Sequence, residues 1–295
     1  MKTTNRSTFD LSVLKTAVVI GITILLTGCG GSSTDSDTPE FNVQTTSTQQ
    51  HGEVLADGEG NVLYFFTPDV KGESKCEGDC IESWPSFYVA NVEPGEGLDA
   101  ENFGTITRPD GGNQTTYNGW PLYYFVGDEQ PGDATGDGVN GVWYVAKPDN
   151  SLMIATEQLV GADEKNYIVD ENGDYIEGEG STTYFTDAEG RTLYIFAAAD
   201  STNTNNCTGD CEDAWPVFHV DIESLPSGIN SDHIGEFTAH GDRQQLTYKG
   251  WPVYYFVNDT ERGDNKGVSV GPYPGAWPVL QTDTEAAPGY ESGDQ

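Results

Sequence analysis

Apolar residues in this chain fall in short runs broken by glycine and aspartate. Residues 54–66 (VLADGEGNVLYFF) set two apolar runs on either side of a Gly/Asp-rich turn, and residues 184–196 (YFTDAEGRTLYIF) repeat the arrangement. Both read as β-hairpins. Thr105 to Phe125, turning at Pro109–Asn113, has the same form, and Phe237 to Phe256 copies it around His240–Asp242. Aromatic and β-branched residues dominate these runs, which suits a pleated, half-buried surface. Five of the six tryptophans precede proline, a position pushed toward extended backbone. Helix is expected only as a turn or two over Cys80–Trp84 and Cys211–Trp215, with a further turn near Ile154–Leu159. The pattern therefore predicts an all-β chain of antiparallel hairpins with little helix.

The hairpins belong to a duplication. Cys76-Glu-Gly-Asp-Cys80, followed by Trp84-Pro85, recurs 131 residues later as Cys207-Thr-Gly-Asp-Cys211 and Trp215-Pro216. Tyr117-Asn-Gly-Trp120-Pro recurs at the same offset as Tyr248-Lys-Gly-Trp251-Pro. Upstream the offset is 130, so one residue was gained near Ala199. Such register is not chance similarity. The expected organisation is a signal segment at 1–28, a flexible Ser/Thr/Asp tether at 29–50 and a first β module at 51–148. A connector at 149–178, a second β module at 179–284 and an acidic tail at 285–295 follow. The two homologous modules are expected to stack on each other.

The signal segment is legible as chemistry. Lys2, Arg6 and Lys15 precede a short apolar run from Thr16 to Thr27, and Leu26-Thr27-Gly28 leads into Cys29. That run is too short for the roughly 20 residues of a membrane-spanning helix, so it reads as a cleaved leader with a lipobox. By resemblance to bacterial lipoproteins, Cys29 is the acylated residue, and the chain is expected to be lipid-anchored in the cell envelope. The absence of an acidic residue directly after Cys29 favours the outer membrane by the same analogy. Charge adds an exclusion. With 13 Lys+Arg against 48 Asp+Glu the net charge is −35, and cleavage after Gly28 takes it to −37. A surface of that sign has little to offer nucleic acid, which is bound through cations on phosphate.

Tyr64-Phe-Phe66-Thr-Pro-Asp69, Tyr123-Tyr-Phe125-Val-Gly-Asp128 and Tyr254-Tyr-Phe256-Val-Asn-Asp259 share a Tyr-x-Phe-x-x-Asp pattern. Tyr194-Ile-Phe196 has one extra residue before Asp200. With the lipobox and the Cys-x-Gly-x-Cys-x3-Trp-Pro element, the chain resembles the bacterial secreted-repeat lipoproteins defined by a Yx(FWY)xxD motif. The resemblance implies an envelope protein without an established biochemical activity. The extra residue before Asp200 argues against a shared ligand role for the four aspartates. A hairpin with Tyr and Phe on one strand face and the acid in the turn accounts for the motif instead.

Candidate chemistry is sparse. In an oxidising envelope the pairs Cys76/Cys80 and Cys207/Cys211 most simply form local disulfides. Thiol exchange would need an activated thiolate, which the neighbouring Glu77, Asp79, Asp210 and Glu212 disfavour, and zinc would need further ligands that the duplication does not repeat. His51, His219, His233 and His240 supply no centre common to both modules. Asp133–Asp137 and Asp170–Asp174 invite a calcium reading but fail the EF-hand spacing. The expectation is no catalytic residue, no resident metal and no cofactor. A noncatalytic binding or scaffolding module, anchored in the membrane by lipid and meeting an unidentified protein or small ligand, is the expected function. The alternative is an extracytoplasmic redox protein using the cysteine pairs or a noncovalent cofactor.

Overall fold

The computed structural model describes residues 41–272 and 274–291. The signal segment and Cys29 lie outside the described residues. In the first module, β1 (Val43–Thr48) and β2 (Gly52–Asp57) form a hairpin, and β3 (Tyr64–Phe66) pairs antiparallel with β7 (Trp143–Val145). Between them β4 (Phe103–Thr107), β5 (Asn113–Tyr117) and β6 (Trp120–Pro121) make a three-stranded meander. In the second, β8 (Leu152–Val160) pairs with β11 (Ser181–Asp187), and β9 (Asn166–Val169) and β10 (Tyr175–Glu177) extend that sheet. Then β12 (Tyr194–Ile195), β13 (Ile234–Ala239), β14 (Arg243–Tyr248) and β15 (Trp251–Tyr254) form one antiparallel sheet. Among the described residues the only α-helices are α1 (Asp79–Ser83) and α2 (Asp210–Ala214), each directly before its Trp-Pro.

Two boundaries differ from the sequence reading. Strand β1 lies inside the stretch expected to be a tether, and β8, β9 and β10 lie inside the expected connector. Val43 faces Asp57 across β1–β2 as Leu152 faces Asp187 across β8–β11, so each module begins one strand earlier than its sequence similarity shows. The sequence VQTTST of β1 has no hydrophobic alternation, and its conformation comes from the ladder that β2 offers. The helical turn expected near Ile154–Leu159 is likewise strand. Strand β8 is paired with β11 from Leu152 to Gln158 and with β9 at Leu159 and Val160, its Leu152–Ala155 end is wholly buried, and tertiary pairing overrides helix propensity there.

The modules are not beads on a string. Phe65, Val70, Trp120 and Tyr144 of the first share one apolar cluster with β8, β11 and the core of the second. Arg262 of the second module reaches across. Its Nε donates to Val70 O (3.1 Å), its Nη1 to Asn118 O (2.7 Å) and to Glu189 O, and its guanidinium lies over the Trp120 ring. Gly119 is needed there, since a Cβ would stand 2.7 Å from that Nη1.

Candidate functional site

The four Tyr-x-Phe motifs meet in pairs. Tyr64 and Tyr123 face each other across an antiparallel bridge, as Tyr194 and Tyr254 do. That places each phenol beside the other motif's acid. Tyr64 donates to Asp128 and Tyr123 to Asp69, both at 2.6 Å, and Tyr194 donates to Asp259 and Tyr254 to Asp200, also at 2.6 Å. The second oxygen of each carboxylate takes a backbone N–H from the following loop: Lys75, Thr135, Asn206 or Lys266. Asp200 makes the same clasp in spite of its extra residue. The amides of Ala199 and Asp200 both turn back onto Phe196 O, so the insertion is absorbed in a wider turn. All four acids thus have one structural role, each receiving the phenol of the other motif.

The motif phenylalanines are exchanged in the same way. Phe66 stacks on Trp143 (4.1 Å), Trp143 on Trp84 (3.9 Å, planes within 1°) and Trp84 on Phe125 (4.3 Å). Phe196, Trp277, Trp215 and Phe256 form the equivalent column at 4.0, 3.8 and 4.5 Å. Each module is thus two interlocked halves. Tyr64, Phe66, Asp69 and Trp84 reappear 59 residues later as Tyr123, Phe125, Asp128 and Trp143, a spacing the 131-residue repeat had hidden. The regular shift is the sequence signal that could have found it.

The cysteines serve this column. Cys76–Cys80 and Cys207–Cys211 are disulfides, and Cys76 and Cys207 are buried among the aromatic residues. Gly78 and Gly209, at φ 57° and 63°, start α1 and α2 in a backbone region that suits only glycine. Trp84 N and Trp215 N then donate to Cys80 O and Cys211 O, which fixes each tryptophan in its stack. In the second half of module one the corresponding loop is the acidic Asp133–Asp137 segment. Its carboxylates are engaged as turn acceptors: Asp133 takes the amides of Glu129 and Gln130, and Asp137 takes Val145 N. Asp170 does the same for Asn172 and Asp174 in the β9–β10 turn. No group of three metal-ligating side chains occurs among the described residues. The histidines lie apart, His219 against Glu236, His240 against Asn205 O and His51 near Asp137.

Sequence reasoning missed three polar anchors. Tyr124 donates to Asp57 (2.9 Å) and Tyr255 to Asp187 (2.8 Å), a second set of clasps on the opposite strand face. Buried Arg108 donates through Nη1 to Ser74 Oγ and Gln114 Oε1 and through Nη2 to Cys76 O, tying the disulfide loop to β5. Module two has Asn205 at the Ser74 position, donating to Gln245. Burial governs the electrostatics. It pushes the Asp69 carboxyl up to about 7 and those of Asp200 and Asp259 up to about 6, against the pull of their phenol and amide donors. The four motif phenols are held far above their usual range, first by burial and then by the facing carboxylate. The clasps are internal joints, without a nucleophile open to a substrate.

The model of a family described as a secreted repeat of unknown function matches residues 45–87, 104–147 and 238–281. Each matched segment is one half-module: the first runs past Trp84, the second past Trp143 and the third past Trp277. The first half of module two is unmatched yet built alike around Tyr194 and Trp215. No curated protein and no solved structure matches the chain. By these three matches, the chain carries repeats of the family described as a secreted repeat of unknown function.

Proposed function

We propose that this secreted-repeat protein is held in the envelope by a lipid on Cys29 and acts by binding or scaffolding, without turning over a substrate. One observation carries the reading. The groups with chemical potential in the repeated motif, four phenols, four carboxylates and two cysteine pairs, are all engaged with one another inside the modules. What remains for recognition is the loop surface on a rigid β frame. No helix among the described residues is long and apolar enough to cross a membrane.

Two measurements test this. Cys29→Ala should move the protein from the membrane to the soluble fraction and abolish incorporation of labelled palmitate. Alkylation of native cells should leave all four module cysteines unmodified until the protein is unfolded and reduced. Native labelling of Cys80 or Cys211, or a visible absorption band in the purified protein, would instead favour the redox reading.

A further inference from the structure

The joint between the modules is head-to-tail, and such a joint leaves an equivalent face on the second module. On the first module that face centres on Trp120. Its indole Nε1 donates to Ala188 O (3.0 Å) in the β11–β12 turn, and Asn118 O accepts from Arg262 (2.7 Å). The matching face of the second module centres on Trp251 and Lys249. Trp251 Nε1 donates to Glu285 O (2.8 Å), and Lys249 O accepts from Ala287 N (2.9 Å). The segment 285–291 therefore satisfies, group for group, what module two satisfies on module one.

It does so less completely. At the module joint the residual space beside Trp120 and Ala188 is about 20 Å³, and Arg262 fills the ground over Gly72 and Gly119. Beside the segment a cleft of about 670 Å³ remains, lined by Ile222, Ile234, Leu246, Gly250 and Tyr290. Thr202 also lines it, and its Oγ1 is buried with no hydrogen-bond partner among the described residues.

We propose that the Trp251 face is a docking surface for the first module of a second copy of this chain, with 285–291 as its removable cover. The donor is the β2–β3 turn. Asp57 Oδ1 accepts from Glu59 N and Asn61 N as Asp187 Oδ1 accepts from Glu189 N and Arg191 N, so the two turns have one hydrogen-bonded frame. Gly58 and Glu59 at its tip are exposed, whereas Ala188, the counterpart of Gly58, is half-buried and accepts from Trp120 of module one. Lys249 stands beside Trp251, with its ammonium on Thr282 O and Thr284 O, while Asp221, Glu236 and Glu291 line the cleft and Glu59 tops the donor turn. The inference rests on the scaffolding reading and gives it a partner.

The test is sedimentation velocity on the mature chain and on a chain ending at Thr284, both in 1 M salt, where repulsion between polyanions is screened within about 3 Å. The full chain should stay monomeric at concentrations where the shortened chain forms end-to-end species that grow with concentration. A peptide spanning 282–291, added in excess, should return the shortened chain to monomer, and a scrambled peptide should not. Glu59→Lys in the shortened chain should abolish association. Full-length Ala287→Glu, which loosens the cover without removing it, should associate weakly. A monomeric shortened chain of native circular dichroism, or assemblies that ignore both the peptide and Glu59→Lys, would overturn the proposal. Either result would leave the lipid-release and alkylation tests of the broader reading untouched.

Discussion

Three of the clasps join a buried phenol to a buried carboxylate, Asp69, Asp200 or Asp259, and the fourth to the half-buried Asp128, so removing the phenol oxygen takes a donor from an acid that water replaces poorly. Tyr194→Phe should cost about 2 kcal/mol in urea unfolding, because Asp259 Oδ2 loses its phenol donor and Gly267 N its acceptor. Tyr64→Phe should cost less, since Asp128 also takes the Thr135 hydroxyl. The acids make a pH prediction with a definite sign. Asp69, Asp200 and Asp259 are raised by burial above their unfolded values. Their contribution to stability is full below about pH 4 and is lost as pH rises through about 6 to 7. The melting temperature should therefore be higher at pH 5 than at pH 8, and Asp69→Asn should flatten that slope. An unchanged slope in the variant would assign the effect to overall charge alone. At this scale the motif residues were legible in the sequence and their relation was not. Tyr-x-Phe-x-x-Asp reads as a local hairpin device, whereas every phenol here bonds the acid of the other motif, and a distance across the fold is invisible in a local pattern.

At the scale of elements, hairpins, module copies and cysteine pairs were legible because each leaves a local mark: a Gly/Asp turn, a repeated spacing, an oxidising address. The strands that open the modules were not. β1 is polar and β8 sets Thr156-Glu157-Gln158 between apolar ends without strand alternation, and their conformation comes from partners supplied later in the chain, β2 and β11. The disulfides act locally. A five-residue loop restricts the unfolded chain by only about 2 kcal/mol. The double variant Cys76→Ser, Cys80→Ser should still fold, with a loss near that size. Its more telling readout is the Trp84–Trp143 pair, whose face-to-face stack gives a coupled signal in near-ultraviolet circular dichroism that should weaken when α1 is freed.

For the whole molecule, one apolar cluster spanning both modules predicts a single calorimetric transition, with van't Hoff and calorimetric enthalpies in agreement. Arg262→Ala removes three hydrogen bonds to carbonyls and should cost about 3 kcal/mol, broadening that transition as the modules uncouple. Monovalent salt should raise the melting temperature, since 13 cationic side chains cannot offset 48 acids. The exchanged phenylalanines and clasps also bear on ancestry. A half-module keeps its own tryptophan but needs the other half's phenylalanine to cover it and the other half's aspartate to receive its tyrosine. A gene for one half would have encoded a chain that folds only as a symmetric pair, and fusion of two copies would have made that pair permanent. Parity follows from this descent: halves should be gained and lost two at a time, because an odd one would carry an uncovered tryptophan and a buried acid without a donor.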